Sequence, residues 1–206
     1  MSIFNSSFLI INTLQALDRR LLVAINQAHS PALDAVMVFA SNRLVWFPAY
    51  GLLIGWLIFH FRRRATLLLP LVGIAVALAD SVTSRLFKPF FARPRPCHDA
   101  RVFPLLHLPD GCGGQFGFLS SHAANSVCLA VFLTLALPAG RFRWLKGLVF
   151  GWAALLSYSR VYLGAHYPTD VLGGAAIGAL LAWVAITIFR RWPHQSAAVA
   201  GRGPRG

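Results

Sequence analysis

Five stretches of this chain approach the roughly 20 mainly apolar residues that a helix needs to cross a bilayer. They are 44–61, 65–87, 123–137, 144–163 and 171–189, and no polar stretch between them is long enough to hold a core of its own. Inside hydrocarbon every backbone N–H and C=O must be paired within the protein, which leaves helices as the simplest solution. The spacing therefore predicts an all-α integral membrane bundle of about five transmembrane helices. Composition points the same way, with 57% hydrophobic and 12% charged residues, where a soluble domain carries about a quarter charged. The net charge of +13 would suit nucleic acid, but the basic residues mostly sit between apolar runs. Topology explains them there, so the expected partner is the bilayer, with no nucleic acid.

Residues 1–43 read differently. Leu17, Leu21, Leu22 and Ile25 recur at helical spacing beside Asp18, Arg19 and Arg20, the pattern of an amphipathic helix lying at the membrane surface. A second short helix is expected after Ser30-Pro31, with Leu33, Val36, Met37 and Ala40 as its apolar face. No basic residue precedes Arg19, so the start does not read as a cleavable signal peptide. The domains expected are thus an amphipathic interfacial segment (1–43), a transmembrane core (44–191) and a polar cytoplasmic tail (192–206).

Arg62–Arg64, then Arg141, Arg143 and Lys146, then Arg190 and Arg191 fall on one side if the five runs alternate. The positive-inside rule makes that side cytoplasmic. The opposite side then holds residues 88–120, which also carry Lys88, Arg93, Arg95 and Arg101. Positive charge on the wrong side asks for a second reason, and binding an anion is one; a solvated basic loop is the plainer alternative.

Three clusters lie at span ends on that side. Lys88-Pro-Phe-Phe-Ala-Arg-Pro-Arg95-Pro96 holds three prolines, which predict a stiff, extended path after the second span. Its Arg and Lys side chains suit phosphate oxygens. Ser120-Ser121-His122 opens the third span, with Ser120 as N-cap and a first turn of free amides that favours an anion. Taken alone it would more often be a plain cap. Ser159-Arg160 through His166 to Asp170 joins the fourth and fifth spans. An Arg at the membrane edge is costly unless paired, and His166 with Asp170 suits a nucleophile and its orienting acid. A structural His–Asp bond between helices is the plainer reading.

The series Lys88-x6-Arg95-Pro96, Ser120-x-His122 and Ser159-Arg160-x5-His166-x3-Asp170 resembles the type 2 phosphatidic acid phosphatase superfamily, which also includes the vanadium haloperoxidases. The likeness spans about 44–189, with Leu119 where the family usually has Pro and Ser121 where it usually has Gly. The first span of many six-span relatives has no counterpart; the amphipathic segment stands in its place. The resemblance implies that His166 is a nucleophile forming a phosphohistidine and that Asp170 orients it. It implies that His122 protonates the leaving oxygen and then activates water. Lys88, Arg95, Arg160, Ser120 and the backbone near Ser121 would bind phosphate. It implies no metal or other cofactor, and His98, His107 and Cys112 show no ligand spacing.

The expected activity is a metal-independent lipid phosphate or diphosphate phosphatase on the outer face of a bacterial inner membrane. Undecaprenyl diphosphate, yielding undecaprenyl phosphate, is the first choice of substrate. Phosphatidylglycerophosphate and lipid A 1-phosphate are the alternatives, and a non-catalytic anion-binding membrane protein or transporter is the alternative of another class. Cys97 and Cys112 lie in the outer segment, where a disulfide is permitted and would close a loop of about 15 residues, worth roughly 3 kcal/mol. Two free thiols in a loop fit the sequence equally well. Cys128 is expected to be buried and free.

Overall fold

A computed structural model describes residues 2–191, with side chains from Asn12 onward; the tail 192–206 lies outside the described residues. The chain is helical almost throughout. α1 (Ser2–Gln27) and α2 (Pro31–Ser41) are followed by α3 (Phe47–Phe61) and α4 (Ala65–Ser81). A π-helical stretch, Val82–Phe87, carries α4 directly into the single turn α5 (Lys88–Phe91). After the long loop come α6 (Ser121–Ala136), α7 (Arg143–Tyr162) and α8 (Pro168–Arg191). The five apolar runs thus coincide with α3, α4 and its extension, α6, α7 and α8. By length and hydropathy alone, the run 43–91 and α8 are long enough to cross a membrane, while α2 and α6 are shorter apolar helices.

Outward-facing apolar side chains on several of these helices, among them Leu52, Phe59, Ile74, Leu148, Leu172 and Trp183, are exposed. Apolar surface on that scale needs a hydrocarbon neighbour. The interior is packed around α6, which touches α4, α7 and α8. Its seam with α8 is the tightest. A Cβ added at Gly174 would lie 2.3 Å from the Ser120 carbonyl oxygen, and one at Gly178 would lie 2.1 Å from that of Ala124. Small residues therefore let the two backbones touch.

The ends of the bundle follow the expected alternation. At one end Arg64 covers the Phe189 ring, Phe142 packs on Trp56 and His60, and Arg190 bonds the Leu135 carbonyl. Three basic clusters meet there. The other end carries the 92–120 loop and the α7–α8 turn. The loop doubles back on itself: Arg95 N–H donates to the Gln115 carbonyl (2.9 Å) and Gly117 N–H to that of Arg93 (2.9 Å). Cys97 and Cys112 are joined by a disulfide (S–S 1.94 Å, Cα–Cα 5.8 Å) directly behind Arg95, and Cys128 is buried and free.

One local expectation needs correction. The prolines after Lys88 do not start an extended path at once, because the helical run of α4 continues through the π-helical stretch into α5, with Pro89 in its first turn. The helix stops only at Ala92, which has φ 44°. In α1 the apolar positions divide between two sides. Leu17 and Leu21 face outward, whereas Asp18, Leu22 and Asn26 are buried against the bundle. α2 likewise buries Met37, Ala40 and Ser41 and leaves Leu33 and Val36 exposed.

Replacing Gly178 by Val should lower the thermal unfolding midpoint of the detergent-solubilised protein steeply, since overpacking costs about 1–3 kcal/mol or more. Gly151→Ala, at an exposed position with nothing within 4 Å of the added carbon, should leave the midpoint unchanged or raise it. Equal behaviour of the two variants would contradict the α6–α8 seam.

Candidate active site

Ser120 caps α6, its Oγ accepting from the Ala123 N–H (3.4 Å), and its own N–H donates to the Asp170 carbonyl (3.0 Å). The start of α6 is thereby tied to the first turn of α8. Helix geometry leaves the Ser121 and His122 amides without intrahelical acceptors. The Ser121 and Thr83 hydroxyls share a hydrogen bond (2.9 Å), and Lys88 Nζ approaches Ser121 Oγ at 3.5 Å.

A cavity of about 830 Å³ opens beside this helix start. Lys88, Arg95, Ser121, His122 and His166 line its polar end, and apolar side chains of α3, α4, α6 and α7, such as Leu53, Leu57, Val72 and Leu129, line the rest. Ser120, Arg160 and Asp170 are buried behind it. The eight residues singled out in the sequence thus gather at one place, five on the wall and three supporting it.

The cations there outnumber the carboxylates: Arg43, Lys88 and Arg95 share the cavity wall with Asp80 alone. Among the described residues, Lys88, Arg95 and Arg160 form no ion pair. Arg95 bonds only the Phe116 carbonyl through Nε (3.3 Å). Arg160 donates through Nη1 to Ser41 Oγ of α2, while its buried Nε has no partner. Uncompensated buried charge is expensive, and an anion in the cavity would offset it. Burial pushes the His166 imidazole down to about 4; the Asp170 charge opposes this, and Arg160 and Arg95 add to it. The ring is therefore neutral at pH 7, the state in which a ring nitrogen can attack phosphorus.

Asp170 does not simply pair with His166. Its Oδ2 lies 3.8 Å from His166 Nδ1, which has no hydrogen-bond partner, and accepts instead from the Tyr167 N–H (2.9 Å). Its Oδ1 accepts from Arg93 Nη1 (2.7 Å), and Arg93 Nη2 reaches Asp18 Oδ2 of α1 (2.6 Å). Asp18 Oδ1 also accepts from the Thr169 N–H (2.9 Å), its Oδ2 meets the Thr169 hydroxyl, and Arg93 stacks over the Tyr167 ring (4.2 Å). Arg93 and Asp18 are site residues that sequence reasoning missed. In sequence Arg93 resembles another clamp cation; in space it is fully paired. Its partner lies 75 residues away, and no local pattern marks it.

Asp80 and Asn125 were missed too. They line the cavity one or two turns deeper than Lys88 and Ser121, joined by a bond from Asn125 Nδ2 to Asp80 Oδ1 (3.1 Å). A lone carboxylate inside an apolar run was the available signal. His107, without ligand spacing in sequence, stacks on His29 and bonds Asp34 (2.8 Å), which Tyr162 also holds. None of these four lines the cavity, and the sulfurs of Cys97 and Cys112 beside His98 are committed to their disulfide.

The model of the PAP2 superfamily matches residues 67–193. The chain is 34% identical over 177 residues to the lipid A 4'-phosphatase of Bacteroides thetaiotaomicron, covering 84% of this chain and 77% of the relative. It is 30% identical over 167 residues to the undecaprenyl-diphosphatase of Sulfolobus acidocaldarius, with 80% and 74% covered. Among solved structures, the transmembrane PAP2-type phosphatidylglycerolphosphate phosphatase of Bacillus subtilis superposes with a TM-score of 0.65 at 26% identity, covering 89% of this chain and 90% of that one.

Arg93→Met would leave the Asp18 and Asp170 carboxylates buried without a cation. A loss on the order of 3 kcal/mol is expected, read as a lower unfolding midpoint, with a smaller loss for Asp18→Asn. An unchanged midpoint for Arg93→Met would refute the bridging role.

Proposed function

The chain belongs to the PAP2 superfamily and is a membrane phosphatase of lipid phosphates, and on that premise we propose that it removes a phosphate monoester from a glycolipid of the lipid A type by way of a phosphohistidine. The observation that carries the site is a set of cations outside any ion pair among the described residues, Lys88, Arg95 and Arg160, around a cavity that also holds His122 and His166. The phosphoryl group sits among these cations and the free amides at the start of α6. His166 attacks phosphorus with Nε2, the ring nitrogen turned away from Asp170; the P–O ester bond breaks, and His122, entering as the imidazolium, delivers its proton to the leaving oxygen. His122 then takes a proton from water as that water attacks the phosphohistidine, releasing inorganic phosphate and restoring both rings. Asp170 positions the α7–α8 turn that holds His166. In this reading α3, α4, α6, α7 and α8 cross the bilayer, the interfacial segment 1–43 covers the outer end, and the active site opens on the periplasmic side.

The glycolipid takes precedence over undecaprenyl diphosphate, the first choice from sequence, because the identity to the lipid A 4'-phosphatase is higher and longer. Motifs alone could not rank them: they hold the phosphoryl group, which all these substrates share.

His166→Ala should abolish phosphate release from lipid A in detergent. His122→Ala should lose roughly 10²–10⁴-fold, the scale of general acid catalysis, and less on p-nitrophenyl phosphate, whose leaving group needs no proton. Equal losses on the two substrates would rule out His122 as the acid, and substantial activity in His166→Ala would rule out the phosphohistidine. Arg95→Lys should also be impaired, since a point charge does not replace a planar fork of donors.

A further inference from the structure

Asp80 is the one carboxylate on the wall of a cavity whose other charged residues are Arg43, Lys88 and Arg95. It is paired with none of these cations. Instead its Oδ1 accepts from Asn125 Nδ2 at 3.1 Å. That bond commits the amide's donor side and leaves Asn125 Oδ1 buried without any partner. Asn125 thus fixes the Asp80 carboxylate on the cavity wall, and that carboxylate offers acceptor oxygens to the cavity.

Position says which part of a ligand arrives there. Asn125 is three residues beyond His122 on α6, and Asp80 precedes Lys88 by eight residues on the α4 run. The pair thus lies below the phosphate end and above the apolar stretch lined by Leu53, Leu57, Leu69, Val72 and Leu129. With phosphate among Lys88, Arg95 and His166, the atoms just past the ester oxygen reach Asp80 and Asn125, and acyl or prenyl chains lie beyond.

We propose that Asp80, held in place by Asn125, selects the leaving group, its carboxylate accepting hydrogen bonds from hydroxyl or amide N–H groups next to the ester and repelling a second phosphate. The favoured substrate class is a phosphate monoester on a sugar or polyol headgroup. A prenyl diphosphate would place its inner phosphate, which has no donor at neutral pH, against the Asp80 carboxylate. This rests on the reading of the cavity as the active site and adds a rule for what that site accepts.

The test compares kcat/KM for lipid A with that for undecaprenyl diphosphate, using purified wild type and Asp80→Asn in the same detergent. The near-isosteric change removes the charge and replaces one acceptor with a donor. The wild type should prefer lipid A, and the variant should lower the ratio of the two values by about tenfold, the direction expected when a polar site loses its matched partner. A misfolded fraction lowers both values together and leaves the ratio unchanged, so folding does not confuse the result. A ratio within about threefold of wild type overturns the proposal, as does a wild type that prefers the diphosphate; in either case the phosphatase reading stands. A wild type that releases phosphate from neither substrate, nor from p-nitrophenyl phosphate, sinks the active-site reading and this inference with it.

Discussion

The bond between Arg93 and two buried carboxylates holds the outer end of this protein together. Asp18 comes from the first helix, Arg93 from the long loop and Asp170 from the last helix. One guanidinium with a planar fork serves both carboxylates, a geometry no lysine could match. Buried charge of this kind adds little net stability but fixes one arrangement, because every alternative strands an ion. The consequence is positional. The α7–α8 turn, which carries His166, is clamped to the loop that carries Arg95, and α1 closes over both.

Around the cavity the electrostatic logic is reversed. Arg93 is satisfied, and Lys88, Arg95 and Arg160 are not. Two sets of cations a few residues apart thus do opposite work: one neutralises protein carboxylates, the other leaves a net positive hole. Low surrounding polarity strengthens that hole and keeps His166 neutral. The apolar walls lead away from it, so a lipid can leave its chains in surroundings like the bilayer while its head enters the polar end.

Much of this was legible in the chain. Helix positions followed from the apolar runs, since hydrocarbon permits few other backbones. Ser120 as a cap followed from residue type at a helix start. The gathering of Lys88, His122 and His166 followed from alternation, which puts odd and even span ends on fixed sides. What escaped were pairings set by tertiary approach. Asp18 beside Arg19 and Arg20 looks like a headgroup-facing charge until α1 is docked on α8. Arg93 and Arg95 differ by two residues and point to different partners, and periodicity carries no information about that choice. Asp80 and Asn125 belong to different helices and meet only when α4 packs on α6.

The glycine contacts between α6 and α8 bear on how such proteins diverge. Backbones in direct contact leave no slack, so the distance from His122 on one helix to the turn that holds His166 is set like the gap of a gauge. Substitutions on that seam are penalised at once. The opposite wall, built by α3 and the cavity-facing side of α4, is looser: a carbon added at Gly51, Gly55 or Gly73 meets nothing within 4 Å. A new side chain at Gly73, which lines the cavity, would reshape that wall without shifting the helix start that holds His122 or the turn that holds His166.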